Sequence, residues 1–198
     1  GGSLPPLSVG NVVSTGFRLY KTHFKNHFKL SLIAHLWLFV PFFGWAKYAA
    51  AHGLLSRLIF AELINQPETV SDARLKIDPR KWLFFSVGLQ VGVRVVLVYL
   101  GLIIAGGIAL GIVGVALSAV LGSGVAPIVI GILAVIGVCL LVLAITWFYS
   151  RLVISEVPLA VEESMNSSQS IDRSWSLTES AVFRIQGVVL VAFVITLP

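Results

Sequence analysis

The sequence predicts an all-α, polytopic membrane protein of about five spans, built from repeated units of an interfacial amphipathic helix followed by a transmembrane helical hairpin. Three observations predict it. Hydrophobic residues make up 57% of the 198 and charged residues only 12%, with a mean hydropathy of +0.95, outside the range of soluble domains. Several uncharged runs are long enough to cross a bilayer. The basic residues, which give a net charge of +5, sit beside those runs and form no face of their own. That placement favours anionic lipid headgroups as partners and argues against nucleic acid.

Val9 to Lys29 opens the chain after a leader, Gly1 to Pro6, that reads as disordered, with Ser8 placed to cap the first helix. Val9, Val12, Val13, Phe17, Tyr20, Phe24 and Phe28 recur at three- and four-residue steps, which stacks them on one side of a helix. Arg18, Lys21, Lys25 and Lys29 form a second stripe, about 120° round from the first. Such a helix lies along a membrane surface, its apolar face in the acyl boundary and its cations on headgroup phosphates. The four cations are the candidate headgroup contacts.

Leu30 to Trp45 carries no charge and just reaches across the hydrocarbon, with Pro41 and Gly44 offering a kink or turn. Ala46 to Ile64 is interrupted by Lys47, His52, Arg57 and Glu62, and reads either as a returning span that faces other helices or as a partly interfacial helix. Asn65 to Lys81 is polar. The apolar region from Trp82 to about Leu121 is twice the length a straight span needs, so a break is expected at Gly106 and Gly107. Leu121 to Pro127 supplies the far-side turn, with Pro127 suited to the first turn of the span Ile128 to Tyr149. Arg151, Glu156 and Pro158 mark its exit. A polar linker, Glu162 to Ser170, leads to an amphipathic segment, Ile171 to Ile185, and a fifth candidate span, Val182 to Pro198.

The leader helix and the Asn65 to Lys81 loop are both basic, whereas the turns around Gly44 and Gly124 hold only Lys47 between them. The positive-inside rule then predicts a cytoplasmic N-terminus, in a cell inner membrane or another internal energy-transducing membrane. No cleavable signal peptide is visible, so the chain is expected to enter the membrane by its own first span. The single cysteine, Cys139, lies in an apolar run and implies neither a disulfide framework nor a thiolate metal site.

Three segments share a spacing: Phe17, Leu19 and Phe24; Leu75, Ile77 and Trp82; Trp175, Leu177 and Val182. Each triplet has two- and five-residue steps, lies in a polar amphipathic stretch and precedes an apolar span. The implied units run over about residues 8–64, 69–160 and 167–198 of one helical membrane domain, the last incomplete. Two stretches, SVGNVVSTGFRLYKTHFKNHFKLSLI and PLAVEESMNSSQSIDRSWSLTESAVFRIQGVVLV, resemble the signature regions of the glycerophosphodiester phosphodiesterase membrane-domain family and its YciC-like bacterial relatives. The resemblance is carried by Phe17, Arg18, Leu19 and Tyr20, then by Pro158, Glu162, Arg173, Ser174, Trp175, Leu177, Arg184, Ile185 and Gly187. It implies six spans in three units, from which this sequence departs by ending one helix short, with the last helix cut off or absent. The family's enzymatic activity belongs to a separate soluble barrel domain, so the resemblance implies architecture more than chemistry.

Hydrolytic or metal chemistry needs convergent carboxylates or histidines. His23 and His27 stand four apart on one helix without an HExxH glutamate, among Lys21, Lys25 and Lys29, and read as part of the headgroup-facing surface. His35, alone in an apolar run, reads as a helix-to-helix hydrogen-bond donor. No Walker motif, GxSxG or dinucleotide fingerprint is present, and neither cofactor nor catalytic residue is expected. Gly88 with Gly92, and Gly107 with Gly111, permit close helix contact, within the subunit or at a dimer face.

Arg94 stands about 18 Å into its span, with Gln90 one turn before it. An unpaired arginine there costs at least about 2.5 to 3.5 kcal/mol, so Glu62 or Glu156 is expected as its partner, with Arg57 competing. These five residues are either a polar site for an anion or lipid phosphate, or an internal ion pair that fixes helix register. The function expected is that of a non-enzymatic scaffold or accessory subunit in contact with anionic lipid and other integral membrane proteins. The alternative is a transporter or lipid-handling protein centred on Arg94.

Overall fold

The computed structural model describes residues 8–22 and 24–196, and among them it is helical throughout, without strands. The expected leader, Gly1 to Pro6, the ring of His23 and the closing Leu197 and Pro198 lie outside the described residues, as do the side chains of Leu19, Tyr20 and His27. The helices are α1 (Val9–Thr22), α2 (Phe24–Trp37), α3 (Phe43–Leu63), α4 (Val70–Ile77), α5 (Lys81–Leu152), α6 (Glu156–Val161), α7 (Ser167–Thr178) and α8 (Val182–Thr196). Short 3₁₀ turns at Asp78–Arg80 and Glu179–Ala181 join α4 to α5 and α7 to α8. By contacts the chain falls into two compact units, Gly1–Val91 with Ser150–Pro198, and Gly92–Tyr149.

The second unit is a helical hairpin. Its one break is at Gly122, where φ 70° and ψ 175° leave the helical region in a conformation only glycine adopts readily. A side chain on Gly114 would meet Ile130 at 3.6 Å, and these two residues stand eight positions either side of Gly122. The arms therefore fold back on one another. The break lies inside the turn expected at Leu121 to Pro127, and Gly106 and Gly107, expected as a break, are helical. Inside an apolar run a mid-helix break frees backbone N–H and C=O groups with no water to satisfy them, so the helix continues to its end.

Three helices, Val70–Gly122, Gly124–Val161 and Ser167–Ile195, are long and apolar enough to cross a membrane. Of the five spans expected, Leu30 to Trp45 and Ala46 to Ile64 are not among these three, which were found among the described residues. α2 stops at Trp37. The turn after it ends on Pro41–Phe42–Phe43, where the Phe43 N–H donates to the Pro41 carbonyl at 2.7 Å and Phe42 takes φ 59° and ψ −71°. That is a γ-turn of the strained, positive-φ kind. Gly44 follows because its α-carbon faces the Trp37 carbonyl too closely for any side chain.

α3 packs against α2, α4 and α6 through small residues: Ala46, Ala49, Ala50, Gly53 and Ala61 are all buried. The reading of this segment as one that faces other helices agrees with that packing. It ends in a Schellman motif, with Asn65 at φ 57°, the Gln66 N–H on the Ala61 carbonyl and the Asn65 N–H on that of Glu62. The chain then returns along α3 as α4 and the 3₁₀ turn. In consequence Lys81 lies over the ring of Phe43, at 4.9 Å, and Lys47 shares a cleft with Arg74 and Asp78. Lys47, expected on the opposite side from the Asn65 to Lys81 segment, is beside it. Because α4 turns back, the start of α3 and the start of α5 come together.

Candidate functional site

The polar residues of the first unit converge where α3, α4 and α6 meet. Arg57 projects from α3 and grips Glu68 bidentately, Nε to Oε2 at 2.6 Å and Nη2 to Oε1 at 3.1 Å. Lys76 of α4 reaches the same Oε1 at 2.7 Å. Arg57 also donates through Nη1 to the Ala160 carbonyl at 2.7 Å. Arg80 donates to the carbonyls of Leu159 and Met165, each at 2.8 Å. The two guanidinium groups thus cap the C-terminal end of α6, whose carbonyls have no partner in the helix and carry its negative end. The Arg57 hydrogen bonds, helped by Lys76, hold the Glu68 carboxyl well below the usual carboxylate range, at about 2.

α7 is held by its hydroxyls. Ser167 donates to the Leu83 carbonyl at 3.2 Å, Ser170 to that of Ser155 at 2.5 Å and Ser174 to that of Arg151 at 2.9 Å, and all three serines are buried. Ser170 and Ser174 reach carbonyls at and just beyond the C-terminal end of α5, Ser167 reaches one in its first turn, and the small side chains let α7 approach closely. The Arg151 guanidinium, itself buried, lies over the Trp175 ring at 4.5 Å, and its Nε has no hydrogen-bond partner among the described residues. The ring's negative face compensates part of that burial.

Of the residues expected to form an intramembrane polar site, Arg57, Glu62, Gln90 and Glu156 belong to the first unit and Arg94 to the second. Arg57 has Glu68 as its carboxylate, where Glu62 or Glu156 was expected. Gln90 donates to Ser86 Oγ, one turn back, at 3.1 Å. Glu156 opens α6, and Glu62 stands near the end of α3, each half-buried. Arg94 belongs to the hairpin unit, of which it is the one charged residue, and makes no ion pair among the described residues.

Of the expected headgroup cations, Arg18 and Lys21 are exposed on α1, and Lys25 and Lys29 are exposed on α2. The stretch Val9 to Lys29 is helical on both sides of His23, which lies outside the described residues. Its apolar face is unevenly covered. Val9 packs within 3.2 Å of where a side chain on Gly187 of α8 would stand, whereas Phe17 is 70% exposed.

A cleft of about 260 Å³ opens between α2, α3 and α4, with Leu30, Ile33 and Leu54 on its apolar side and Lys47, Arg74 and Asp78 on its polar side. Lys47 Nζ stands 5.8 Å from the Trp37 ring centre and 5.9 Å from that of Phe43. Compared with known proteins, the chain matches no family model, no curated protein and no solved structure. What can be argued of its function therefore comes from these side chains.

Sequence reasoning passed over Glu68, Lys76 and Arg80 as a polar segment, and Ser167 and Ser170 as part of a linker. Local signals were present in Thr69-x-x-Asp72 and Asn166-x-x-Gln169, which cap α4 and α7.

Proposed function

We propose that this chain is a non-enzymatic scaffold or accessory subunit of a membrane-protein assembly, with anionic-lipid contacts along its basic helices. The observation that carries the reading is the bareness of the hairpin. In both of its arms the apolar window has no residue buried by the rest of the chain. A helix that apolar needs lipid or another helix on every side. Gly88, Gly92, Gly107 and Gly111 add to this, since a Cβ at any of them would meet nothing within 4 Å among the described residues. Faces of small residues left open in the subunit fit close approach by a partner's helix.

The exposed cations of α1 and α2 supply the headgroup contacts, each worth about 1 kcal/mol near an anionic surface. Membership of the glycerophosphodiester phosphodiesterase membrane-domain family belongs to the same proposal and rests on the resemblance of residues such as Phe17, Arg18, Trp175 and Gly187. The test is purification in mild detergent followed by native mass spectrometry. A stable oligomer or a copurifying membrane protein, lost when Gly107 and Gly111 are replaced by leucine, is the expected result. A strictly monomeric chain with no companion would overturn the proposal.

A further inference from the structure

The cleft between α2, α3 and α4 combines features that a soluble anion or an apolar molecule alone would not require. Lys47 and Arg74 line it, and neither makes an ion pair among the described residues. Asp78 is the one carboxylate on its lining, so the site keeps a net positive charge, to which Lys81 adds from above the Phe43 ring. The opposite wall is apolar. Beside it, the α2 to α3 turn exposes Phe39, Phe42 and Trp45, the residue types that sit at the headgroup level of a bilayer.

We infer that this cleft seats one anionic glycerophospholipid, its phosphate between Lys47 and Arg74 and an acyl chain along Leu30, Ile33 and Leu54. The inference rests on the proposed membrane reading and goes beyond it by assigning a discrete site away from the Arg18, Lys21, Lys25 and Lys29 surface. Trp37 and Phe43 hold Lys47 by its cationic end, which reduces the rotamer freedom lost on binding. A phosphate monoanion completes the charge of the site.

The experiment uses the full chain in phosphatidylcholine nanodiscs containing phosphatidylglycerol, with retained lipid counted by native mass spectrometry. One phosphatidylglycerol per chain is expected. Lys47→Gln with Arg74→Gln should lower its retention by about a hundredfold, the scale of two lost charge-assisted contacts at about tenfold each. Ala51→Phe, which fills the trough without changing charge, should lower it as well, and so guards against a folding defect in the charge variant. Equal retention in both variants overturns the inference. So does displacement by millimolar inorganic phosphate, which would make this a site for the free anion, or equal retention of phosphatidylethanolamine. Neutralising Arg18, Lys21, Lys25 and Lys29 together should leave the adduct in place. If that change alone strips the lipid, the cleft inference fails and the surface reading stands; if neither set of changes lowers retention, both fail.

Discussion

The ring of Phe84 occupies the space that a side chain on Gly53 would need, so the first turn of α5 is seated in a notch of α3 that only glycine provides. Phe84 is fully buried there, with Val87 one turn further on also buried. A methyl group at position 53 has to displace an aromatic ring that has nowhere to move. Gly53→Ala should lower stability by about 1 to 3 kcal/mol, the range for overpacking a filled core. Thermal unfolding in detergent reads this directly, and an unchanged melting temperature would show the notch to be loose.

Glu68 links the return of α4 to α3, and its depressed carboxyl makes the link acid-sensitive. A folded-state value near 2, below the ordinary carboxylate value of 4.5, contributes stability that is fully present above pH 4.5 and is lost as pH falls toward 2. Glu68→Gln should remove that slope between pH 4.5 and 2. It should also cost about 1 to 3 kcal/mol at neutral pH, because Arg57 and Lys76 lose the negative charge and one of the two acceptor oxygens they share. Melting curves taken across this range for both proteins provide the check; parallel curves would contradict it.

Phe42 holds a positive φ that β-carbons resist. Its ring is largely exposed but touches Trp45, at 5.4 Å between centres, so one substitution alone would mix two effects. Comparing Phe42→Gly with Phe42→Ala separates them, since both lose the ring and only glycine loses the β-carbon. The glycine variant should be the more stable by about 1 kcal/mol. Equal stabilities would mean that the turn carries no strain.

Arg94 is the one charge on the hairpin. Arg94→Leu should leave the melting of the isolated chain unchanged or raised, since about 2.5 to 3.5 kcal/mol of insertion cost is removed. It should weaken whatever assembly copurifies, if a partner supplies the counter-charge. A marked loss of monomer stability would instead identify an internal role for the residue.

What was legible in the sequence was local. The long apolar runs, the end of α3 at Leu63 and Ile64 and the turn around Gly122 follow from hydropathy and turn chemistry within a few residues. What was not legible depends on where the chain returns. Nothing near Lys47 shows that Arg74 and Asp78 will stand beside it, because that depends on α4 folding back along α3. Ser167 and Ser170 look like linker residues until Leu83 and Ser155 present carbonyls to them. The shared spacing of the apolar triplets does not fix burial: Ile77 is buried and Leu177, at the same place in its triplet, is exposed.

The bend at Gly122 bears on how the protein reaches its membrane. Leu121, Gly122, Ser123 and Gly124 carry no charge, and of the 14 lysines and arginines only Arg94 lies between Gly92 and Tyr149, with no acidic residue among them. The tip of the hairpin can therefore traverse the lipid as a neutral loop, both arms entering together, with no ionised group to dehydrate ahead of them.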